Sequence, residues 1–217
     1  MSRKINFQAE YYYHICNRGV DKRKVFLEKW DYVRFLEGMK YFNQIKPVGS
    51  LYSLGLLSGS AANEAAEPLG EPLVEILAYY LNPNHFHLLL QQKVNNGISE
   101  YLHKLLGGYT GYFNRKNNRS GSLWQGAYKA KEIKSTDVLQ KLTVYVNCNA
   151  EIHHIAKADM WPWSSNLDYI SQRNGTLVNK KIILNEVGGV REYIQLCKDL
   201  IPEIQKRKDE LEDYDLE

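Results

Sequence analysis

The apolar and polar residues of this chain follow two different periods. Short stretches that alternate or run apolar, as β-strands do, lie at 11–16, 74–81, 88–90 and 128–133. Longer stretches that repeat apolar residues every three or four positions, as amphipathic helices do, lie at 29–43, at 98–116 and from Ser135 onward. This mixture predicts an α+β fold in which helices pack on one face of an antiparallel β-sheet.

Two regions fit this alternation less well. Residues 51–57 are a candidate strand, and 58–72 are rich in Ser, Gly, Ala, Glu and Pro without a period, which predicts a flexible insertion at about 45–73. Beyond residue 170, apolar repeats at 182–184 and 190–200 predict a small helical appendage. We therefore expect one domain over 1–170 and a C-terminal helical extension over 171–217.

The most informative stretch is the predicted hairpin at 74–92. Asn82, Pro83 and Asn84 form a turn signal between its two strands. Because alternate residues of a strand share a face, His85 and His87 point the same way and Phe86 points to the opposite face. Neutral imidazole is a common ligand of divalent metals, so this pair is a candidate metal site, although a His-x-His on a strand is more often structural.

Charge and cysteine content narrow the class of protein. The 217 residues carry a net charge of only +3, but cations gather at 18–24 and 115–134, near the predicted hairpin and its neighbours, which favours a polyanionic partner. No apolar run could form a transmembrane helix or a secretory signal, and three widely spaced cysteines give no disulfide framework. We expect a cytoplasmic protein with no membrane association.

Six short motifs occur in one order along the chain. They are YHICNRG at 13–19, AYYLNPNHFHLL at 78–89, YFN at 112–114, GSLWQG at 121–126, YVNCN at 145–149 and WPWSS at 161–165. In this order the sequence resembles the single-tyrosine HUH transposases, the IS200-like family, and within them the REP-associated tyrosine transposase branch.

The resemblance implies a ferredoxin-like sheet with the histidine pair on a central strand and a nucleophilic tyrosine on a later helix. It implies cleavage and rejoining of single-stranded or hairpin DNA through a 5′-phosphotyrosine, by a monomer or a homodimer. His85, His87 and Asn149 would hold Mg²⁺ or Mn²⁺, and Tyr145 would be the nucleophile. Ala150 stands where the branch has proline, and we expect only that the helix runs on there.

Further roles follow for other residues. The residues that we expect to bind DNA are Arg18, Lys22, Arg23, Lys24, Asn114, Arg115, Arg119, Trp124, Gln125, Lys129 and Lys131. Tyr109 and Tyr112 are rival nucleophiles that we interpret as core or base-stacking residues. His14 is a candidate second-shell residue beside the metal, and we expect His153 and His154 to be exposed.

Two other functions remain open from the sequence. A descendant that binds DNA without cleaving it would keep the same fold. A zinc-dependent hydrolase could use His85 and His87, but no third His, Cys or carboxylate ligand and no general-base Glu lies near the pair in the sequence. Retention of His85, His87, Tyr145 and Asn149 together favours the cleaving enzyme.

Overall fold

A computed structural model describes residues 6–46 and 70–206. Four strands form one antiparallel sheet in the spatial order β2-β3-β1-β4. Their bounds are Tyr12–Arg18 for β1, Val74–Asn82 for β2, His85–Gln92 for β3 and Lys129–Ile133 for β4. The candidate strand at 51–57 and most of the predicted insertion at 45–73 lie outside the described residues.

The described helices follow the predicted order. They are α1 at Lys29–Tyr41, α2 at Gly97–Lys116, α3 at Thr136–Asn147, α4 at Asn149–Ile152, α5 at Asn166–Tyr169, α6 at Lys181–Val187 and α7 at Val190–Lys206. A short 3₁₀ turn, Val20–Lys22, follows β1. No helix in the described ranges is long and apolar enough to cross a membrane.

The strand register gives the sheet two different faces. Ile15 of β1 lies opposite Leu88 of β3, whereas Cys16 lies opposite His87. Because residues that lie opposite one another project to the same side, Ile15 and Leu88 belong to an apolar face, and Cys16 and His87 belong to a polar one. The alternation predicted around Phe86 therefore holds across both central strands.

Helices α1 and α2 cover the apolar face. The Phe35 ring of α1 lies 5.4 Å from the Phe86 ring and 5.1 Å from the Tyr109 ring of α2, measured between centroids. Helix α1 begins with a capping box in which the Glu28 side chain accepts from the backbone of Asp31 and the Asp31 side chain accepts from the backbone of Glu28. This arrangement confirms the predicted α+β fold.

Helix α3 lies on the opposite, polar face, so helices cover both faces of the sheet rather than one. Its last turn is buried on every side because the sheet lies beneath it and α7 packs against it. Asn147 shows this double contact, since its amide nitrogen donates to the Tyr193 hydroxyl of α7 at 2.8 Å and its amide oxygen accepts from the Ser165 hydroxyl. The predicted C-terminal appendage is thus part of the packing of α3.

The predicted continuation of α3 past Ala150 is wrong. The helix ends at Asn147, where Cys148 adopts φ −102° and ψ 14°, and α4 begins at Asn149. The Cys148 side chain is buried against α7, with its sulfur 3.7 Å from the sulfur of Cys197. Tyr145 and Asn149 therefore belong to two successive helices joined at Cys148.

Candidate metal centre and tyrosine site

The histidine pair begins directly after a tight hairpin turn that other segments hold in place. The Pro83 carbonyl accepts from the backbone amides of Val25 and Phe26 at 2.7 and 3.0 Å, and the Asn84 carbonyl accepts from the Gly19 amide at 2.8 Å. Glycine is required at position 19 because a Cβ there would lie 2.3 Å from the Arg23 carbonyl oxygen. The loop after β1 thus fixes the turn that precedes His85.

The two histidine rings lie close together and are buried. Their centroids are 5.1 Å apart, with the ring planes at 86°. Nδ1 of His85 lies 2.7 Å from Oδ1 of Asn84, and Nδ1 of His87 lies 2.9 Å from Nε2 of His14. Because an amide oxygen only accepts, the neutral form of the His85 ring that fits this contact has its proton on Nδ1 and its lone pair on Nε2.

Tyr145, the predicted nucleophile, packs against this pair. Its ring centroid lies 5.7 Å from that of His87, 6.4 Å from that of His14 and 6.3 Å from that of His153, each in an edge-on arrangement. Tyr145 is only 1% exposed. The structure therefore brings a tyrosine from α3 to the histidines of β3, which are far from it in the sequence.

The donor set fits a divalent metal. Among the described residues, Nε2 of His87 and both amide atoms of Asn149 are buried and meet no hydrogen-bond partner. Buried polar atoms are normally satisfied, and a metal with its bound waters would satisfy these. An imidazole nitrogen together with an amide oxygen suits a hard ion such as Mg²⁺ or Mn²⁺.

A second group of donors surrounds His87. One ligand atom from each of His14, Cys16 and His87 lies within 4.8 Å of the others, and all three residues are buried. Sequence analysis found no third His, Cys or carboxylate ligand near the pair, because β1 and β3 are distant along the chain. A thiolate in the set would favour zinc, so this cluster is an alternative donor group to the one that includes Asn149.

The buried histidines are neutral at physiological pH. Burial, with a smaller contribution from the nearby Lys131 charge, lowers the pKa of His14 to about 3. Burial also lowers the pKa of His87 well below its usual value, and neighbouring His14, His85 and His153 add to this effect. Both rings therefore offer lone pairs rather than positive charges.

The rival tyrosines lie elsewhere. The Tyr109 hydroxyl donates to the Val25 carbonyl at 2.6 Å, and the Tyr112 hydroxyl donates to the buried Asp31 carboxylate at 2.9 Å. Both are on α2, across the sheet from His87. Burial raises the pKa of each hydroxyl, and for Tyr112 the hydrogen bond to Asp31 adds to the effect. Their interpretation as packing residues agrees with these contacts.

His153 and His154 differ in their exposure to solvent. His154 is exposed, as expected, but His153 is half-buried and its ring contacts Tyr145. The expectation that His153 is exposed is therefore wrong. Helix α4 is a single turn that ends at Ile152. His153 follows directly after it and lies against the Tyr145 ring.

Three of the predicted DNA-binding cations share the face of the histidine pair. Lys131 and Lys129 of the edge strand β4 lie opposite His14 and Cys16, and Arg18 lies opposite His85. Residues opposite one another project to the same side of a sheet. The sheet thus carries a row of positive charge beside the candidate metal centre.

The other predicted DNA-binding residues differ in burial and in their hydrogen bonds. Asn114 and Arg119 bond to each other at 2.6 Å and hold the loop after α2. Trp124 is 6% exposed and packs edge-on against Phe86 at 5.3 Å, so the expectation that it stacks on bases does not agree with its burial. The side chains that are exposed or half-buried at the surface are Lys22, Arg23, Lys24, Arg115 and Gln125.

Comparison with known proteins agrees with this geometry. Residues 65–149 match the model of the family described as Transposase IS200 like, and this range contains His85, His87, Tyr145 and Asn149. Over these residues the chain is similar to the IS200-like transposases. The predicted family resemblance is therefore confirmed. No curated protein matches the chain by sequence.

One solved structure supports the fold, and a second is less similar. A REP-associated tyrosine transposase bound to a REP hairpin superposes with a TM-score of 0.54 at 12% identity, over 82% of this chain and 89% of that one. A protein from Deinococcus radiodurans R1 described as a transposase aligns with a TM-score of 0.34 at 15% identity, over 72% of this chain and 99% of that one. The first of these likenesses confirms the predicted sheet-and-helix architecture.

Proposed function

We propose that this protein cleaves and rejoins single-stranded or hairpin DNA through a covalent bond to Tyr145, with a divalent metal held by His85, His87 and Asn149. The observation that carries the proposal is the buried contact of the Tyr145 ring with the His87 ring. Nε2 of His87 and the Asn149 amide are also buried and have no hydrogen-bond partner among the described residues. The fold is shared with a transposase whose structure contains a REP hairpin, which supports DNA as the substrate.

The histidine and asparagine side chains would hold the metal through Nε2 of each ring and the Asn149 amide oxygen. A bound Mg²⁺ or Mn²⁺ supplies positive charge to the phosphate oxygens and to the departing 3′-oxygen. Asn84 keeps the proton of His85 on Nδ1, so that Nε2 is available. Burial keeps His87 neutral, which preserves its lone pair for the same purpose.

Tyr145 provides the nucleophile. Its oxygen forms a bond to phosphorus as the bond between phosphorus and the 3′-oxygen breaks, so the downstream strand is left as a 5′-phosphotyrosine. The phenol loses one proton and the departing oxygen gains one. Attack by a 3′-hydroxyl on the phosphotyrosine reverses these changes and rejoins a strand.

Positive charge beside the site would attract the phosphate backbone. Lys129, Lys131 and Arg18 project from the same face of the sheet as His85 and His87. Contacts of this kind with phosphates give affinity without sequence preference. These contacts would place an unpaired DNA strand across the sheet, close to Tyr145.

The covalent intermediate gives a direct test. A hairpin oligonucleotide labelled at its 3′ end, downstream of the nick, should leave its label on the protein after boiling in detergent, in the presence of Mn²⁺ only. Tyr145→Phe keeps the ring contacts and removes the attacking oxygen, so it should bind the DNA and give no labelled protein. Tyr109→Phe and Tyr112→Phe are matched controls that should keep the adduct.

One observation favours a protein that binds DNA without cleaving it. Tyr145 is almost fully buried, so its oxygen is not open to a phosphate in this structure. Tight binding of the hairpin with no adduct, no nick and no response to Mn²⁺ would support this second function. An adduct that survives in Tyr145→Phe would show that the nucleophile is another residue.

A further inference from the structure

His14 lies outside the predicted ligand set but contacts both the predicted ligand His87 and the predicted nucleophile Tyr145. His14 lies on the central strand β1, with Leu89 of β3 opposite it on one side and Lys131 of β4 on the other. Its ring is buried and lies nearly parallel to the His87 ring, at 8° with a centroid separation of 5.1 Å. Its edge also meets the Tyr145 ring at 6.4 Å.

The contact with His87 determines which nitrogen of that ligand is available. Nδ1 of His87 lies 2.9 Å from Nε2 of His14, whereas Nε2 of His87 is buried and has no hydrogen-bond partner among the described residues. A metal bound by His87 at Nε2 needs the lone pair there, so the ring must carry its proton on Nδ1. That proton then points at His14, whose Nε2 must accept it.

We propose that His14 is a positioning residue that accepts a hydrogen bond from Nδ1–H of His87 and thereby directs Nε2 of His87 to the metal. This inference rests on the proposed function for the identity of the ligand. It also gives the motif at 13–19, which contains His14, a role in the metal site. A partner on the second ring nitrogen fixes both the tautomer and the rotation of a ligating histidine.

His85 has an equivalent partner, which supports the inference. Asn84 occupies Nδ1 of His85 through its side-chain oxygen at 2.7 Å, just as His14 occupies Nδ1 of His87. Both ligands are therefore held at Nδ1 by a neighbouring side chain. Asn84 comes from the hairpin turn itself, whereas His14 comes from the adjacent strand.

The alternative is that His14 itself is a ligand, together with Cys16 and His87. His87 would then use Nδ1, the nitrogen that lies 2.9 Å from Nε2 of His14. The two arrangements make opposite demands on His87, because one uses Nε2 for the metal and the other uses Nδ1. They also differ in the role of Cys16, which is a ligand only in the second. These differences make the two arrangements distinguishable without any DNA.

Metal affinity is the first measurement. Mn²⁺ alone is titrated into the full chain, and the free ion is followed by electron paramagnetic resonance. His14→Leu removes the acceptor and should weaken Mn²⁺ binding by about 10- to 100-fold. His14→Gln places an amide oxygen near the position of Nε2 and should recover most of that loss. His103→Leu, an exposed histidine of α2, is the matched control and should bind as the unaltered chain does.

The tautomer of His87 is the second measurement, and a merely structural role of His14 would not change it. Long-range proton–nitrogen spectra of the metal-free, ¹⁵N-histidine-labelled protein should give a protonated Nδ1 on His87 in the unaltered chain and in His14→Gln. His14→Leu should lose this preference. Unaltered Mn²⁺ affinity and an unaltered tautomer in His14→Leu would overturn the proposal.

The remaining outcomes distinguish a positioning role of His14 from a ligand role, and test that role separately from the proposed function. Loss of Mn²⁺ binding in His14→Gln and Cys16→Ser, as severe as in His14→Leu, would make His14 a ligand and refute a positioning role. If the chain never nicks DNA but His14→Leu shows both changes, the positioning role stands and the proposed function fails. If the chain nicks DNA and His14→Leu shows neither change, the proposed function stands and the positioning role fails.

Discussion

The buried, neutral histidines predict a specific loss of stability in mild acid. In the unfolded chain, His14 and His87 take up protons near the ordinary histidine pKa of about 6.5. In the folded chain, burial and then the charge of Lys131 lower the pKa of His14 to about 3. Burial, and then the neighbouring His14, His85 and His153, lower the pKa of His87 well below its usual value. Below pH 6.5 the unfolded state therefore binds more protons than the native state, and acid favours unfolding.

The size of this effect follows from the difference in pKa. Each histidine that stays neutral in the folded state lowers the free energy of unfolding by about 1.4 kcal/mol for every pH unit below 6.5. Between pH 7.5 and 5 this amounts to about 2 kcal/mol for His14, and His87 acts in the same direction. A loss of about 2 kcal/mol is already a large share of the stability of an ordinary domain.

The assay is denaturant unfolding of the metal-free protein at a series of pH values. His14→Gln removes one titrating ring, so the decrease in the free energy of unfolding between pH 7.5 and 5 should be about 2 kcal/mol smaller than in the unaltered chain. Comparison of the two proteins cancels the contribution of the carboxylates that they share. A free energy of unfolding that is constant over this range would refute the conclusion that the rings are neutral in the folded state.

Three further predictions concern single side chains. Asn149→Ala should weaken Mn²⁺ binding by about 10-fold or more if its amide oxygen is a ligand, and titration without DNA measures this. Lys129→Ala should weaken hairpin DNA binding about equally for all sequences and lower the salt-dependence slope by about 1 if Lys129 contacts a phosphate, as affinity at several salt concentrations would reveal. Asp168→Asn removes the buried partner of Arg173, which lies 2.7 Å away, and should lower the free energy of unfolding by about 3 kcal/mol in thermal or urea unfolding.

The sequence alone predicted the parts of this protein that depend on local pattern. Alternation around Phe86 determined which face of β3 carries His85 and His87, because side chains of a strand alternate irrespective of the neighbouring strands. Helical spacing of apolar residues located α1, α2 and the beginning of α3. The order of motifs indicated the resemblance to the IS200-like transposases, and the turn signal at Pro83 located the hairpin.

Only the tertiary structure decided which distant residues meet. His14 and His87 are 73 positions apart, and their contact depends on the register of β1 against β3, which no local period encodes. Trp124 could stack on a base by its residue type, but it is buried because its ring packs against Phe35, Phe86 and Tyr109. The last turn of α3 is buried between the sheet and α7, which are also distant in the sequence. Secondary structure follows from the periodicity of neighbouring residues, whereas the second coordination shell, burial and helix ends depend on long-range packing.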